Sequence, residues 1–362
     1  MMIPAMGGGS LLPWNKGTFA NASPRYIWDA SGKVLYGQFA GGTAAIATID
    51  GKRRVQIEGA RTNLCNVASA WTLRGGTAVV QTSGQADPGG GTTATKFENV
   101  AVANIDDIKS ALIIATVDAS QALSFFIKPI TTTGIITLQN RAGPAFGEWF
   151  IDLSLISDWD RATSDHPAVT VNTPFVADSS GQVGVKMFLA SGSADFYLWW
   201  PQLEDAVFPS SPIAPTVTRA ADSLQFAASA IPAAFTSGKW TVDVTTMFAH
   251  GDLANSESHE VFYIDASNHL QIDKTGGGDA RVRLVAGGAP ISVVNVQYSR
   301  DQTLTLTVDF PAGELTLSGF TVGDGTYSGA ITGGWPSATL HVGTNGLNVA
   351  HLYGRISELV AV

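Results

Sequence analysis

Runs of alternating apolar and polar residues recur along this chain, and they constrain its fold more than any other feature. Val183, Val185, Met187 and Leu189 put apolar side chains on one face, while Gly184, Lys186, Phe188 and Ala190 take the other. Trp240, Val242 and Val244 alternate in the same way, as do Leu304, Leu306, Val308 and Phe310. A period of two belongs to an extended strand with one face inward; a helix would repeat every three to four residues. Further short β-prone runs lie at 124–127 and 135–138, and Leu340 with Val342 and Ile356 with Leu359 mark late strands. Asp50-Gly51, set between the apolar runs 45–49 and 55–57, is a hairpin signal. No segment makes a convincing amphipathic helix, and 106–116 comes nearest. The 39 glycines supply the positive φ values that many tight turns require. The expected fold is all-β, two antiparallel β-sandwich domains.

Composition shifts divide the chain. Residues 1–64 read as an N-terminal docking segment with a small β region, 65–205 as the first sandwich, 206–222 as a proline-punctuated linker, and 223–362 as the second sandwich. The first residues are rich in Gly, Pro and Asn with isolated apolar side chains, Leu11, Leu12, Trp14 and Phe19. They are read either as a segment that lies along another protein with Trp14 as its docking anchor, or as a frayed terminus. The aromatic run Phe196 to Trp200 reads as a strand that ends at Pro201, with Trp199 and Trp200 on opposite faces.

Charge narrows the functions. Hydrophobic residues make up 45% and charged residues 14%, with a formal net charge of −9. No basic face is available for phosphates, so neither nucleic acid nor an anionic membrane is an expected partner. The densest basic run, Lys52-Arg53-Arg54, reads as a solvated surface feature. No stretch approaches the roughly 20 apolar residues of a spanning helix, and the first residues lack the pattern of a signal peptide, so cytoplasmic assembly without membrane insertion is expected. Cys65 is the one cysteine. It excludes an intrachain disulfide and a multi-cysteine zinc site, and reads as a buried inert thiol.

The acids give no catalytic pair. Asp158 and Asp160 have strand spacing but sit in a turn-like stretch, and Glu257, Glu260 and Asp265 are spaced by three and five, which gives no shared strand face. The six histidines, His166, His250, His259, His269, His341 and His351, are scattered singly and read as surface or loop residues. There is no nucleophile elbow and no phosphate-cradling lysine loop. The chain is therefore expected to be no enzyme and to need no cofactor. The Gly276-Gly277-Gly278-Asp279 turn and scattered loop acids leave calcium open.

Aromatic residues in loops carry the positive signal, because sugars present apolar C–H faces between polar rims. Asp324 and Tyr327 with Trp335 make one candidate glycan-binding cluster, and Trp149 and Trp159 another. The alternative for each tryptophan is core packing.

The junction segments also resemble a known family. Gly17-Thr18-Phe19, Tyr26-Ile27-Trp28-Asp29-Ala30-Ser31-Gly32-Lys33-Val34 and Glu58-Gly59-Ala60-Arg61-Thr62-Asn63-Leu64 resemble the opening of bacteriophage head spike and tail fibre proteins, and of related gene-transfer-particle proteins. Pro201-Gln202-Leu203-Glu204-Asp205 and Thr218-Arg219-Ala220-Ala221-Asp222 are similar to the family's second junction. The family's opening carries an Arg where this chain has Ala20-Asn21-Ala22. The resemblance implies a carbohydrate-binding-module-like jelly roll between the junctions and a concanavalin-A-like (laminin-G-like) lectin domain after them. It further implies a virion protein, assembled in a bacterial host cytoplasm as a homo-oligomer, with a trimer favoured. Such a protein docks to a particle base, capsid or tail protein through its N-terminus and binds host cell-surface or capsular polysaccharide for adsorption. A purely structural decoration or baseplate part is the rival reading, and a depolymerase the third.

Overall fold

The computed structural model describes residues 14, 17–20, 25–28, 35–39, 45–49, 52–65, 72–73, 79–101, 108–109, 113–117, 120–131, 133–210, 213, 218–253, 257–274, 279–331, 334–345, 350–357 and 359–361. Asp50-Gly51, the turn 29–32, the glycines 276–278 and Leu11 and Leu12 lie outside these. The structure is almost entirely β, as the alternation requires. The strand pairings within the large sheets are antiparallel, and helix among the described residues is confined to Ala233–Ser237 and short 3-10 turns. Two compact units result. One gathers Met1–Arg25, Gly37–Ala60 and Ala220–Val362; the other gathers Tyr26–Tyr36 and Arg61–Arg219.

In the second of these, Val169–Thr173, Glu148–Asp152, Ile135–Asn140, Val185–Ser191, Ile108–Lys109 and Thr72–Leu73 form one sheet in that order. Asp160–Ala162, Gln121–Pro129, Ser193–Asp205, Ala94–Ala101 and Val80–Gln85 form the other. Alternate residues of both, among them Phe125, Ile127, Leu138, Met187, Phe196 and Leu198, fill one apolar core. Each such side chain contributes about 1.5–3 kcal/mol. The expected inward face of Val183, Val185, Met187 and Leu189 is buried.

Four expectations change here. Residues 108–109 and 113–114 are strand, not helix, because each short run is paired across a sheet. The aromatic strand does not stop at Pro201 but continues to Asp205. Its register shifts against Gln121–Pro129 between Ser124 and Phe126, and Trp200 has φ 50°. That is a β-bulge, where a proline without an N–H is tolerated. The same bulge undoes the alternation, so Trp199 and Trp200 meet edge to face at 4.5 Å instead of pointing to opposite faces. The described part of 206–222 does not hang free as a spacer, since Phe208, Ser210 and Ile213 are buried and Ser210 is held by Glu204. Cys65 is buried, and burial pushes its thiol up to about 12, which keeps it protonated and unreactive.

In the other unit, Thr18–Ala20, Ser223–Phe226, Leu340–Val342, Ser258–Asp265, Asn268–Asp273, Ala280–Ala286 and Ala289–Val296 make a seven-stranded sheet. The facing sheet runs Gly325–Ser328, Glu314–Ser318, Thr303–Asp309, Lys239–Thr246, Gly354–Ser357, Lys52–Ile57 and Ile46–Ile49, with Val360–Ala361 added on Lys239–Thr246. The hairpin expected in a small N-terminal β region thus completes a sheet of this unit, Val55 pairing with Ile356. Trp14, read as a docking anchor, is 1% exposed and packs 6.1 Å from Phe226 of its own unit. Arg54, read as part of a solvated run, is also buried, with its guanidinium on Thr245 and Asp243. No described helix is long and apolar enough to cross a membrane.

A polar sheet face as the candidate functional site

The seven-stranded sheet turns Leu224, Phe262, Leu270, Ile272, Val282 and Leu284 into its sandwich. Residues paired directly across antiparallel strands share a face, so the register fixes what the opposite face carries. Ser258 pairs with Asp273 and Asp273 with Arg281; Glu260 pairs with Gln271 and Gln271 with Arg283. Tyr263 pairs with both His269 and His341. A bulge between Glu260 and Phe262 keeps Glu260 and Tyr263 together on this face, although they are three residues apart.

Most of these polar side chains are shielded from solvent. Glu260 is 4% and His269 6% exposed, and Gln271 and Asp273 are also buried. Arg281 grips Asp273 with two bonds, Nε–Oδ1 at 2.8 Å and Nη2–Oδ2 at 2.7 Å, and Gln271 donates to Asp273 as well. That corner is satisfied. The centre is not: Glu260 Oε2, His269 Nε2 and His341 Nδ1 find no hydrogen-bond partner among the described residues. Around them the partly exposed ring of Tyr263 lies 6.2 Å from His269 and 6.4 Å from His341. Each buried polar atom left in this way costs about 1–3 kcal/mol unless something else completes it.

Burial sets the protonation of the face. It pushes the Glu260 carboxyl up to about 8, helped by the negative charge of Asp273 and opposed by Arg283. It also lowers His269 and His341, so both rings are neutral at pH 7. The site thus offers a carboxyl O–H and neutral imidazoles, a set suited to uncharged hydroxyl groups. The raised acid also costs stability. Between about pH 4.5 and pH 8 the folded chain keeps a proton that the unfolded chain has released, so stability falls as pH rises through that window. Glu260→Gln is therefore expected to match the parent at pH 4 and to exceed it by roughly 4–5 kcal/mol at pH 8.5. Denaturant unfolding at the two pH values measures this, and an equal stability difference at both would contradict it.

The residues expected to bind sugar lie elsewhere, and they do not gather. Trp335 is 4% exposed, its ring packed edge-on or tilted among Phe235, Trp240 and Phe310 and its indole N–H donated to Val285 O at 2.7 Å. It has no open face for a ligand. Asp324 is exposed, but its carboxylate accepts the Gly319 and Phe320 N–H groups, and the Tyr327 hydroxyl donates to Gly323 O. Both residues tie their own turn. Trp149 is 2% exposed in the core of its sandwich. Trp159 keeps a partly exposed ring, tilted 6.0 Å from Tyr197 on the outer side of the five-stranded sheet.

Sequence reasoning passed over the residues that do gather. Glu260 read as one of three acids without a shared strand face and the histidines as lone surface or loop residues, whereas Glu260 is a buried strand residue and His259, His269 and His351 are buried. The signal was present. His269, Gln271 and Asp273 alternate with Leu270 and Ile272, and Arg281 and Arg283 alternate with Val282 and Leu284. Three consecutive strands alternate in this way and so mark one polar sheet face, although the same pattern also suits plain solvent exposure. Of the other acids, Asp158 is exposed beside Lys128, while Asp160 is fully buried 3.0 Å from His166 Nε2. No three His, Cys, Asp or Glu side chains among the described residues are placed to hold a metal ion.

No family model matches the chain, and no curated protein matches it. Solved structures similar to it include the N-terminal CBM22-1–CBM22-2 tandem domain of Paenibacillus barcinonensis Xyn10C, at 9% identity and TM-score 0.26, covering 83% of this chain and 97% of that one. Domains LG4-5 of the mouse laminin alpha1 chain match at 11% identity and TM-score 0.23, covering 88% and 92%. The Bacteroides ovatus xyloglucan PUL GH43B matches at 11% identity and TM-score 0.22, covering 98% and 88%. At these scores the similarity carries nothing about ligand or activity.

Proposed function

We propose that this chain is a glycan-binding part of a virion fibre or spike, and that the polar face of its seven-stranded sheet receives the sugar. The observation that carries the reading is the set of three unpartnered polar atoms, on Glu260, His269 and His341, beside the accessible ring of Tyr263. A pyranose laid on Tyr263 would cover the ring with its C–H face and direct hydroxyls to the carboxyl and the two imidazoles. Neutral imidazoles and a protonated carboxyl favour uncharged hydroxyls over sugar acids. The virion role is supported by the resemblance of residues 58–64 and 218–222 to the junctions of phage spike and fibre proteins. In such a particle the chain is an oligomer, a trimer on that resemblance, and avidity multiplies weak single-site binding to a bacterial surface polysaccharide.

The test is binding of the full-length chain to a panel of bacterial surface and capsular polysaccharides. Tyr263→Ala is expected to weaken the strongest interaction at least tenfold, about 1.4 kcal/mol, while Tyr327→Ala leaves it unchanged. Glu260→Gln should bind at pH 7 and abolish the loss of affinity expected of the parent above pH 8. No saturable binding by the intact oligomer, or binding indifferent to Tyr263→Ala, would sink the proposal and favour a structural virion part.

A further inference from the structure

The unit formed by Tyr26–Tyr36 and Arg61–Arg219 holds a cleft of its own. It measures about 260 Å³ and opens beside the start of Gln121–Pro129, and Trp149, Phe175 and Leu123 form its apolar wall. Ser120, Gln121 and Ser164 supply its polar side chains, and the remaining lining residues are alanine, valine and proline. No charged side chain among the described residues lines it.

Trp149 stands against Phe175 edge to face at 5.4 Å, so its ring is fixed. Its indole N–H, however, is buried and has no acceptor among the described residues. Four other tryptophans show how this chain ordinarily treats that group. Trp199 donates to Thr93, Trp200 to Ile213 O, Trp240 to Phe235 O and Trp335 to Val285 O. A buried N–H without an acceptor is costly, and here it belongs to a residue that lines an open cleft.

We infer that this cleft is a binding site for the acetamido group of an N-acetylated hexosamine, with Trp149 as the donor to its carbonyl oxygen. The chemistry of the lining selects that group. The described lining is neutral and gives no counter-charge to an anion or a cation, whose desolvation would go uncompensated. A plain hydroxyl-bearing ring would bury several donors against a mostly apolar wall. An acetamido group brings one strong acceptor for the indole N–H and a methyl for the Leu123, Trp149 and Phe175 surface, while the sugar ring's hydroxyls reach the mouth. The cleft belongs to a different unit from the polar sheet face, and the inference stands without it.

The experiment is a titration of the full-length chain, 15N-labelled at tryptophan, with N-acetylglucosamine, acetamide and glucose in separate series. The Trp149 indole cross-peak is assigned by its disappearance in Trp149→Phe, which keeps an aromatic ring in the core and removes the donor together with part of the indole's volume. The expected result is a saturable downfield shift of that peak with N-acetylglucosamine, a weaker shift in the same direction with acetamide, and none with glucose. Trp149→Phe should bind N-acetylglucosamine at least tenfold more weakly. An equal response to glucose, or a peak unmoved by all three, overturns the inference from the parent protein alone. So does a correctly folded Trp149→Phe chain with unchanged affinity.

Discussion

Asn63→Ala is expected to destabilise its unit by roughly 4 kcal/mol, enough to leave it unfolded if its total stability is ordinary. Asn63 is fully buried, and its amide uses both ends. Nδ2 donates to Pro201 O at 3.1 Å and Ile213 O at 3.0 Å, while Oδ1 accepts from the N–H groups of Cys65 at 3.0 Å and Leu203 at 3.1 Å. One side chain therefore satisfies four backbone groups, drawn from three segments more than a hundred residues apart at the extremes. Alanine removes all four partners and leaves the backbone groups in place, each at a cost of about 1–3 kcal/mol, partly recovered by entering water. Asn63→Asp should be nearly as damaging, because a carboxylate faces two carbonyl oxygens and has no N–H for either. Chemical denaturation measures the effect. A loss below about 1 kcal/mol would mean that solvent replaces the amide freely.

Trp335→Ala is expected to cost about 3–5 kcal/mol, the range for deleting a large aromatic from a core. The indole lies 5.4 Å from Phe235, 5.5 Å from Phe310 and 5.9 Å from Trp240, so truncation opens a cavity walled by three rings. It also strands Val285 O, whose partner is the indole N–H. The local backbone is equally constrained. Gly334 has φ 73°, and a Cβ there would sit 2.0 Å from Thr236 O, so Gly334 cannot yield to a side chain. Trp335→Phe should recover part of the loss by refilling some of the volume. Thermal or urea unfolding separates the variants. A stable Trp335→Ala chain that has lost glycan binding would return this residue to the site and contradict its placement in the core.

Much of the fold was legible because period two is a local signal. Trp240, Val242 and Val244 alternate in the sequence and are buried in the structure, as are Leu304, Leu306 and Val308. What was not legible depends on register and distance. Nothing near Val55 announces that its partner is Ile356, and a hairpin read as a small N-terminal region completes a sheet of the larger unit. Pro201 looked like a strand end, because a single sequence does not show the bulge that accommodates it. The site shows the same division. Aromatic residues were sought in loops, and Trp149 and Trp335 went to the cores instead, where most large aromatics gain most. Glu260, Tyr263, His269 and His341 come together only through two strand pairings and one bulge, and spacing along the chain hides all three.

Glycan binding at the polar sheet face is tested most directly by diffraction from crystals of the chain soaked with an oligosaccharide cut from its best-bound polysaccharide. The expected map places one sugar ring over Tyr263, with hydroxyls within hydrogen-bond distance of Glu260 Oε2, His269 Nε2 and His341 Nδ1. An oligosaccharide held elsewhere, with that face bare, would contradict the account.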